Sequence, residues 1–129
     1  MSPEVKKRKI QKLIQYLGDM KKHCDSSFES FMKRHYEVER ILQLLIETSS
    51  DLIFHELSGK NITPDSYREA FLMAGEKGII PKKLAKNLAL ASGMRNILVH
   101  EYEEIDYKLV HKSIKTALRD FPALIKALS

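Results

Sequence analysis

The chain has 129 residues, of which 43% are hydrophobic and 30% charged, with a net charge of +5. This length and composition predict one folded domain over residues 1–129 and exclude a disordered chain. The single cysteine, Cys24, excludes an intramolecular disulfide and a cysteine-based metal cluster. The sequence lacks an apolar run of about 20 residues, so we expect a cytoplasmic protein without a membrane partner.

The first predicted helix begins near Pro3 and is about 20 residues long. Its apolar residues recur at helical spacing and are predicted to face inward: Ile10, Leu13, Ile14 and Leu17. Residues 1–23 contain seven basic and two acidic residues, so they hold the whole net charge. This basic strip either attracts a polyanion or is a solvated helix face, and the sequence leaves both open.

The middle of the chain contains two further helices. Ser26 and Glu29 have the spacing of a capping box for a short turn, after which a long helix runs from about Lys33 to Leu57. Its apolar stripe comprises Val38, Ile41, Leu42, Leu45, Leu52 and Ile53. Residues 58–61 end it, and Thr63-Pro64 predicts the start of a third helix that stops before Gly78.

Pro81 opens a fourth helix, and Asp106 is the predicted N-cap of the last one. We expect Pro122 to interrupt that last helix, since proline clashes with the preceding turn. The residues of the last helix predicted to face inward are Leu109, Val110, Ile114 and Leu118. The predicted fold is all-α, an up-down bundle of four to five helices.

The most informative segment lies near the end of the fourth helix, where Arg95, Asn96, His100 and Tyr102 fall within eight residues. An arginine binds oxyanions bidentately and stays charged, and an imidazole can take and give a proton near neutral pH. Arg95 and His100 are separated by roughly 140° on an ideal helix, whereas Asn96 and His100 share a face. The spacing therefore predicts a site at a helix end, between about Val99 and Tyr102.

Four segments together resemble the HEPN superfamily and, within it, the HepT toxins. Arg95–Tyr102 fits the R-N-x-x-x-H-x-Y form of the superfamily's R-x4-6-H motif. Glu39–Glu47 resembles the ER-x-LQ-x-x-IE helix, Asp65–Phe71 the YREAF segment, and Gly78–Pro81 the turn before the motif helix. The similarity runs from about residue 10 to residue 128.

The resemblance implies a metal-independent endoribonuclease that uses no cofactor. A ribose 2′-hydroxyl would attack the adjacent phosphorus, leaving a 2′,3′-cyclic phosphate and a 5′-hydroxyl. His100 would act as general base or acid, and Arg95 would stabilise the developing charge. Asn96 would orient His100 or bind the phosphate, and Tyr102 would bind phosphate or stack on a base. The other histidines show no metal-ligand spacing, so no metal site is predicted.

The resemblance also implies partners. HEPN ribonucleases act as dimers in which Arg95 and His100 of two chains would line one cleft. HepT toxins are paired with an MNT-type nucleotidyltransferase antitoxin that transfers AMP to the motif tyrosine, here Tyr102. The chain would then be the toxin of a toxin–antitoxin module, as a homodimer or in a larger assembly with the antitoxin.

The alternative is a non-catalytic helical module that binds a nucleotide or a protein. In that interpretation the motif serves binding only. Each motif residue also has a purely structural interpretation, in which Arg95 forms an ion pair with Glu101 or Glu104, His100 caps the helix, and Tyr102 is a half-buried core residue. Two further polar residues of the second long helix, Arg40 and Glu47, have no assigned role.

Overall fold

The computed structural model describes residues 1–129, apart from the side chain of Tyr102. The elements in chain order are α1 Pro3–Lys21, α2 Phe28–Met32, α3 His35–Ser58, α4 Tyr67–Glu76, α5 Lys82–His100, a 3-10 turn Tyr102–Glu104, and α6 Tyr107–Leu128. The all-helical prediction is confirmed. The described residues contain six α-helices, because the short segment predicted as a turn forms α2. Within the described part, none of these helices is long and apolar enough to cross a bilayer.

Helix α3 lies at the centre of the packing, since it contacts α1, α4, α5 and α6. Its predicted apolar stripe is buried, as expected for residues at helical spacing around a core. The same core takes in large side chains from the surrounding helices: Leu13, Met20, Phe31, Phe71, Leu88 and Phe121. The position of α3 therefore decides where the other helices, including the motif helix α5, can lie.

Two helices begin later than the sequence predicts. Helix α2 is capped by Ser27, whose hydroxyl accepts from the backbone N–H of Ser30, so the predicted Ser26 cap is wrong. Helix α4 is capped by Ser66, whose hydroxyl accepts from the Glu69 N–H at 3.1 Å, so the start predicted at Thr63-Pro64 is also wrong. The Glu69 carboxylate in turn accepts from the Asp65 N–H just before the helix, and this reciprocal pair satisfies two backbone donors at the start of α4.

The other predicted helix ends are confirmed. Asn61 and Gly78 have φ angles of 61° and 73°, the left-handed conformation that stops a helix. The Asp106 carboxylate accepts from two backbone N–H groups at the start of α6. Pro122, however, does not interrupt α6, because the helix loses one backbone hydrogen bond while buried Phe121 and Leu124 hold the flanking turns in the core.

Two residues predicted to face inward are exposed. Ile14 is 55% exposed and Leu109 is 50% exposed, although their neighbours Leu13 and Val110 are buried. Each lies at the edge of its helix's apolar stripe, about 100° around the axis from the buried neighbour. The partly exposed Leu109 borders a groove between α5 and α6 that is described below.

Helices α4 and α5 pack closely because Gly75 has no side chain. A Cβ atom at position 75 would lie 2.5 Å from the Cβ of Ala85, which is too close for any real contact. The turn through Gly78 and Pro81 then returns the chain directly into α5. This close approach fixes the position of α5 against α4.

Part of the basic strip of α1 is paired within the fold. Lys6 forms an ion pair with Glu56 at 3.1 Å, and Lys9 with Asp51 at 3.0 Å, both across to α3. The remaining basic side chains of the strip are exposed: Lys7, Arg8, Lys12, Lys21 and Lys22. Attraction of a polyanion to α1 therefore stays a prediction that rests on these exposed residues.

Candidate functional site

The motif lies at the end of α5, as predicted. His100 is the last residue of the helix, and Glu101 leaves it with φ −132° and ψ 44°, while its N–H still donates to the Ile97 carbonyl. His100 and Asn96 are both exposed. Since four residues separate them, the two side chains occupy neighbouring positions on one solvent-facing surface.

Arg95 points from α5 toward α3 and is held there by Glu47. Its Nε and Nη2 atoms donate to the same carboxylate oxygen, Oε2 of Glu47, at 3.0 and 2.8 Å. The side chains are only 16% and 29% exposed. The alternative partners that the sequence suggests for Arg95, Glu101 and Glu104, are wrong, because the guanidinium forms its ion pair with Glu47 across to α3.

Two more side chains support this pair. Gln43, one turn before Glu47 on α3, donates from Nε2 to the same Glu47 oxygen at 3.0 Å. The ring of Tyr67, at the start of α4, lies 5.0 Å from the Arg95 guanidinium carbon, within range of a cation–π contact. Phe54 of α3 packs edge-on against that ring. The Arg95 side chain is therefore held at its edge by α3 and at its face by α4.

Three of the sequence segments that resemble the HEPN superfamily thus meet at one guanidinium. Gln43 and Glu47 come from the first segment, Tyr67 from the second, and Arg95 from the motif itself. Sequence reasoning missed the roles of Gln43, Glu47 and Tyr67. The available signal was the spacing of Gln43 and Glu47, two polar residues four apart that can pair on one face of the helix.

One chain does not bring Arg95 and His100 into contact. The helix stays regular through both, so they lie roughly 140° apart around its axis. Asn96 links the two sides, since its Oδ1 accepts from Arg95 Nη1 at 3.4 Å and its side chain shares the face of His100. Tyr102 was predicted to bind phosphate or to stack on a base, and its side chain lies outside the described residues. Among the described residues, no three His, Cys, Asp or Glu side chains could hold a metal ion together.

A groove of about 610 Å³ lies between α5 and α6 beside the motif. Its lining is largely aliphatic and includes Leu90, Met94, Ile97, Leu98, Leu109 and Val110, and Arg95 borders it. Leu90 is 75% exposed, so the motif helix presents an apolar surface that none of the described residues covers.

Comparison with known proteins establishes the family. A family model described as ribonuclease HepT-like matches residues 10–128. The chain belongs to this family. This confirms the resemblance seen in the motifs, and the match covers the residues over which it was predicted.

Relatives of this HepT-like ribonuclease are similar over almost their whole length. The tRNA nuclease HepT of Aphanizomenon flos-aquae is 32% identical, with 100% of this chain and 90% of the relative covered. The mRNA nuclease HepT of Shewanella oneidensis is 28% identical, with 95% and 89% covered. A solved structure of a tri-AMPylated Shewanella oneidensis HEPN toxin in complex with an MNT antitoxin superimposes with a TM-score of 0.87 at 25% identity, covering 98% and 97%. The predicted HEPN-like fold is therefore confirmed.

The environment of Glu47 in this HepT-like chain keeps it ionised. Burial alone raises the pKa of the Glu47 carboxyl, but the hydrogen bonds from Arg95 and Gln43 lower it. The positive charges of Arg95 and of Arg40, one of the residues without an assigned role, lower it further. The net result is a pKa below the ordinary value of 4.5. Glu47 therefore carries its negative charge at neutral pH, opposite the Arg95 guanidinium.

This shift predicts how stability depends on pH. Because the folded state lowers the pKa of Glu47, its charge stabilises the fold above pH 4.5, and this contribution is lost as the pH falls through the folded-state pKa. We expect Glu47→Gln to lower the free energy of unfolding by about 1 kcal/mol at pH 7. Urea titrations should show the difference from the wild type shrinking as the pH falls below 4.5.

The matched control is Glu76→Gln, which removes an exposed carboxylate at the end of α4. Its effect on the free energy of unfolding should be within about 0.5 kcal/mol at pH 7. A Glu47→Gln difference that is as large at pH 3 as at pH 7 would show that lost packing, and not lost charge, causes it.

Proposed function

We propose that this chain is the toxin of a toxin–antitoxin pair and a metal-independent endoribonuclease whose catalytic residues are Arg95 and His100. One observation carries the proposal. Arg95, held by Glu47, and the exposed His100 lie in the last turns of one helix. The chain is related to HepT proteins that are named tRNA nuclease and mRNA nuclease. Such a pair supplies a fixed positive charge and a proton carrier, the two functions that cleavage of RNA by its own 2′-hydroxyl requires.

The reaction proposed is an in-line transfer at phosphorus. His100 takes the proton of the ribose 2′-hydroxyl as the 2′-oxygen forms a bond to the adjacent phosphorus. The bond from phosphorus to the 5′-oxygen breaks, and a protonated His100 gives that oxygen a proton. Arg95 stabilises the negative charge on the non-bridging oxygens, and Asn96 orients His100 or binds the phosphate. The products are a 2′,3′-cyclic phosphate and a 5′-hydroxyl.

The active form proposed is a homodimer. In one chain Arg95 turns toward α3 while His100 faces solvent, so a single copy offers the two groups on different sides of α5. The uncovered apolar groove between α5 and α6 borders Arg95 and offers a surface on which a second copy can pack. Two copies joined there would place four catalytic side chains around one cleft.

The partner proposed for inhibition is an MNT-type nucleotidyltransferase that transfers AMP to Tyr102. The superimposable Shewanella toxin is AMPylated and bound to an MNT antitoxin. Tyr102 lies two residues after His100, at the start of the 3-10 turn. An attached AMP adds bulk and a negative charge next to the site, and both oppose the entry of an RNA phosphate. A larger toxin–antitoxin assembly is compatible with this arrangement.

The test is cleavage of total RNA by the purified protein in excess EDTA, with the end groups of the products identified. We expect cleavage to persist and to yield 2′,3′-cyclic phosphate and 5′-hydroxyl ends. Intact mass measured beforehand shows whether Tyr102 carries AMP, so only unmodified protein is assayed. Cleavage that stops in EDTA and returns with an added divalent metal would contradict metal independence. No cleavage by the unmodified dimer would favour the non-catalytic binding module.

A further inference from the structure

We propose that Glu47 is a positioning residue of this ribonuclease, which holds one edge of the Arg95 guanidinium so that the opposite edge is presented to the scissile phosphate. The inference rests on the proposed function. It assigns a catalytic consequence to a carboxylate on α3, 48 residues before the motif arginine.

The argument starts from the donors of Arg95. A guanidinium has five N–H groups in a planar fork, and two neighbouring nitrogens along one edge can grip an oxyanion. Glu47 occupies the edge formed by Nε and Nη2, at 3.0 and 2.8 Å. The edge between Nη1 and Nη2 is left for another acceptor. Nη1 lies 3.4 Å from Oδ1 of exposed Asn96, so this second edge is on the side that solvent and substrate can reach.

Neighbouring side chains fix both Glu47 and Arg95 in place. Glu47 is fixed by Gln43, which donates to the same carboxylate oxygen at 3.0 Å. The centre of the Tyr67 ring lies 5.0 Å from the guanidinium carbon of Arg95. The ring therefore limits rotation of the guanidinium away from the orientation in which it binds Glu47. A long arginine side chain otherwise samples many rotamers, whereas a transition state is stabilised by charge that is already in place.

Two other roles for Glu47 make different predictions. If Glu47 only joins α3 to α5, its loss weakens the fold without altering the chemical step. If Glu47 blocks the arginine against phosphate, its loss speeds cleavage. The geometry favours positioning, because the carboxylate takes one edge of the fork, and the described acceptor at the second edge is the long contact from Nη1 to exposed Asn96.

The experiment compares Glu47→Ala and Glu47→Gln with the wild type, measuring kcat and KM on RNA together with the melting temperature. We expect Glu47→Ala to lower kcat about 100-fold, since misplacement by about 1 Å costs that much, while KM changes by less than about threefold. Glu47→Gln keeps an oxygen that can accept from Nε and Nη2, so it should recover about tenfold in kcat relative to Glu47→Ala.

The matched control is Glu56→Gln on the same helix. It removes an ion pair of similar length between α3 and α1, 3.1 Å against 2.8 Å, but Lys6 is its partner instead of Arg95. Its kcat should equal that of the wild type even if its melting temperature falls as far as that of the Glu47 variants. A loss of kcat specific to Glu47 therefore cannot come from weakened helix packing.

Each other outcome overturns the inference in a recognisable way. An unchanged kcat in Glu47→Ala with a lower melting temperature means a structural pair only. A raised kcat/KM means that Glu47 is a block. If Glu47→Ala does not fold, the kcat of Glu47→Gln decides, and a wild-type value contradicts positioning. If wild-type cleavage does not depend on His100, the proposed function itself fails and takes this inference with it.

Discussion

His100→Ala is expected to lower the rate of RNA cleavage by about 10²–10⁴-fold, the usual contribution of a general acid–base residue. His100 is the last residue of α5, and its side chain is exposed, with no hydrogen bond to another described residue. Its removal should therefore leave the fold unchanged, with a change in the free energy of unfolding within about 0.5 kcal/mol. Single-turnover cleavage rates and thermal melts of the same samples measure both quantities.

A second histidine serves as the control for this variant. His55 lies in the last turn of α3 and is half-buried. His55→Ala should cleave RNA at the wild-type rate. Equal cleavage by wild type and His100→Ala would contradict general acid–base catalysis by His100 and favour the non-catalytic binding module.

Arg95→Lys is expected to lower kcat about 10²–10³-fold, similar to the loss of one group that stabilises transition-state charge. Lysine keeps the positive charge but is a single point charge without the planar fork. It cannot hold Glu47 along one edge and a phosphate along another, as the guanidinium does. Steady-state kinetics on RNA measure the loss of kcat. The affinity for a non-cleavable 2′-deoxy analogue measures the loss of binding separately.

The control for Arg95→Lys is Arg68→Lys, a substitution of an exposed arginine on α4. Its cleavage rate should be that of the wild type. If Arg95→Lys keeps more than about half of the wild-type kcat, a simple positive charge is sufficient and the bidentate role of Arg95 is wrong. A large loss in Arg95→Lys together with a wild-type rate in Arg68→Lys supports the fork geometry.

Local sequence signals predicted most of the helices because they act over three to four residues. The apolar stripe of α3, the left-handed residues Asn61 and Gly78, and the Asp106 cap are such signals. The wrong helix starts arose where two local signals competed. At the start of α4, the reciprocal cap of Ser66 and Glu69 forms in place of the Thr63-Pro64 start.

The candidate site was only partly predictable. The spacing of Arg95, Asn96 and His100 predicted that the motif lies at a helix end, because rise and rotation per residue are fixed, and α5 does end at His100. The partner of Arg95 could not be read from that spacing, since Glu47 is 48 residues away. Nearby carboxylates such as Glu101 are equally good partners by sequence alone.

By itself, the sequence determined the helical class, the motif and its place at a helix terminus, all of which depend on local periodicity and on residue chemistry. Only the tertiary structure decided that Arg95 turns inward to Glu47 and Tyr67 while His100 remains in solvent. The physical reason is the packing of α5 on α3 and α4, made close by Gly75 and held by the buried core of α3. Contacts between distant segments depend on how helices pack in three dimensions, which short-range sequence patterns do not specify.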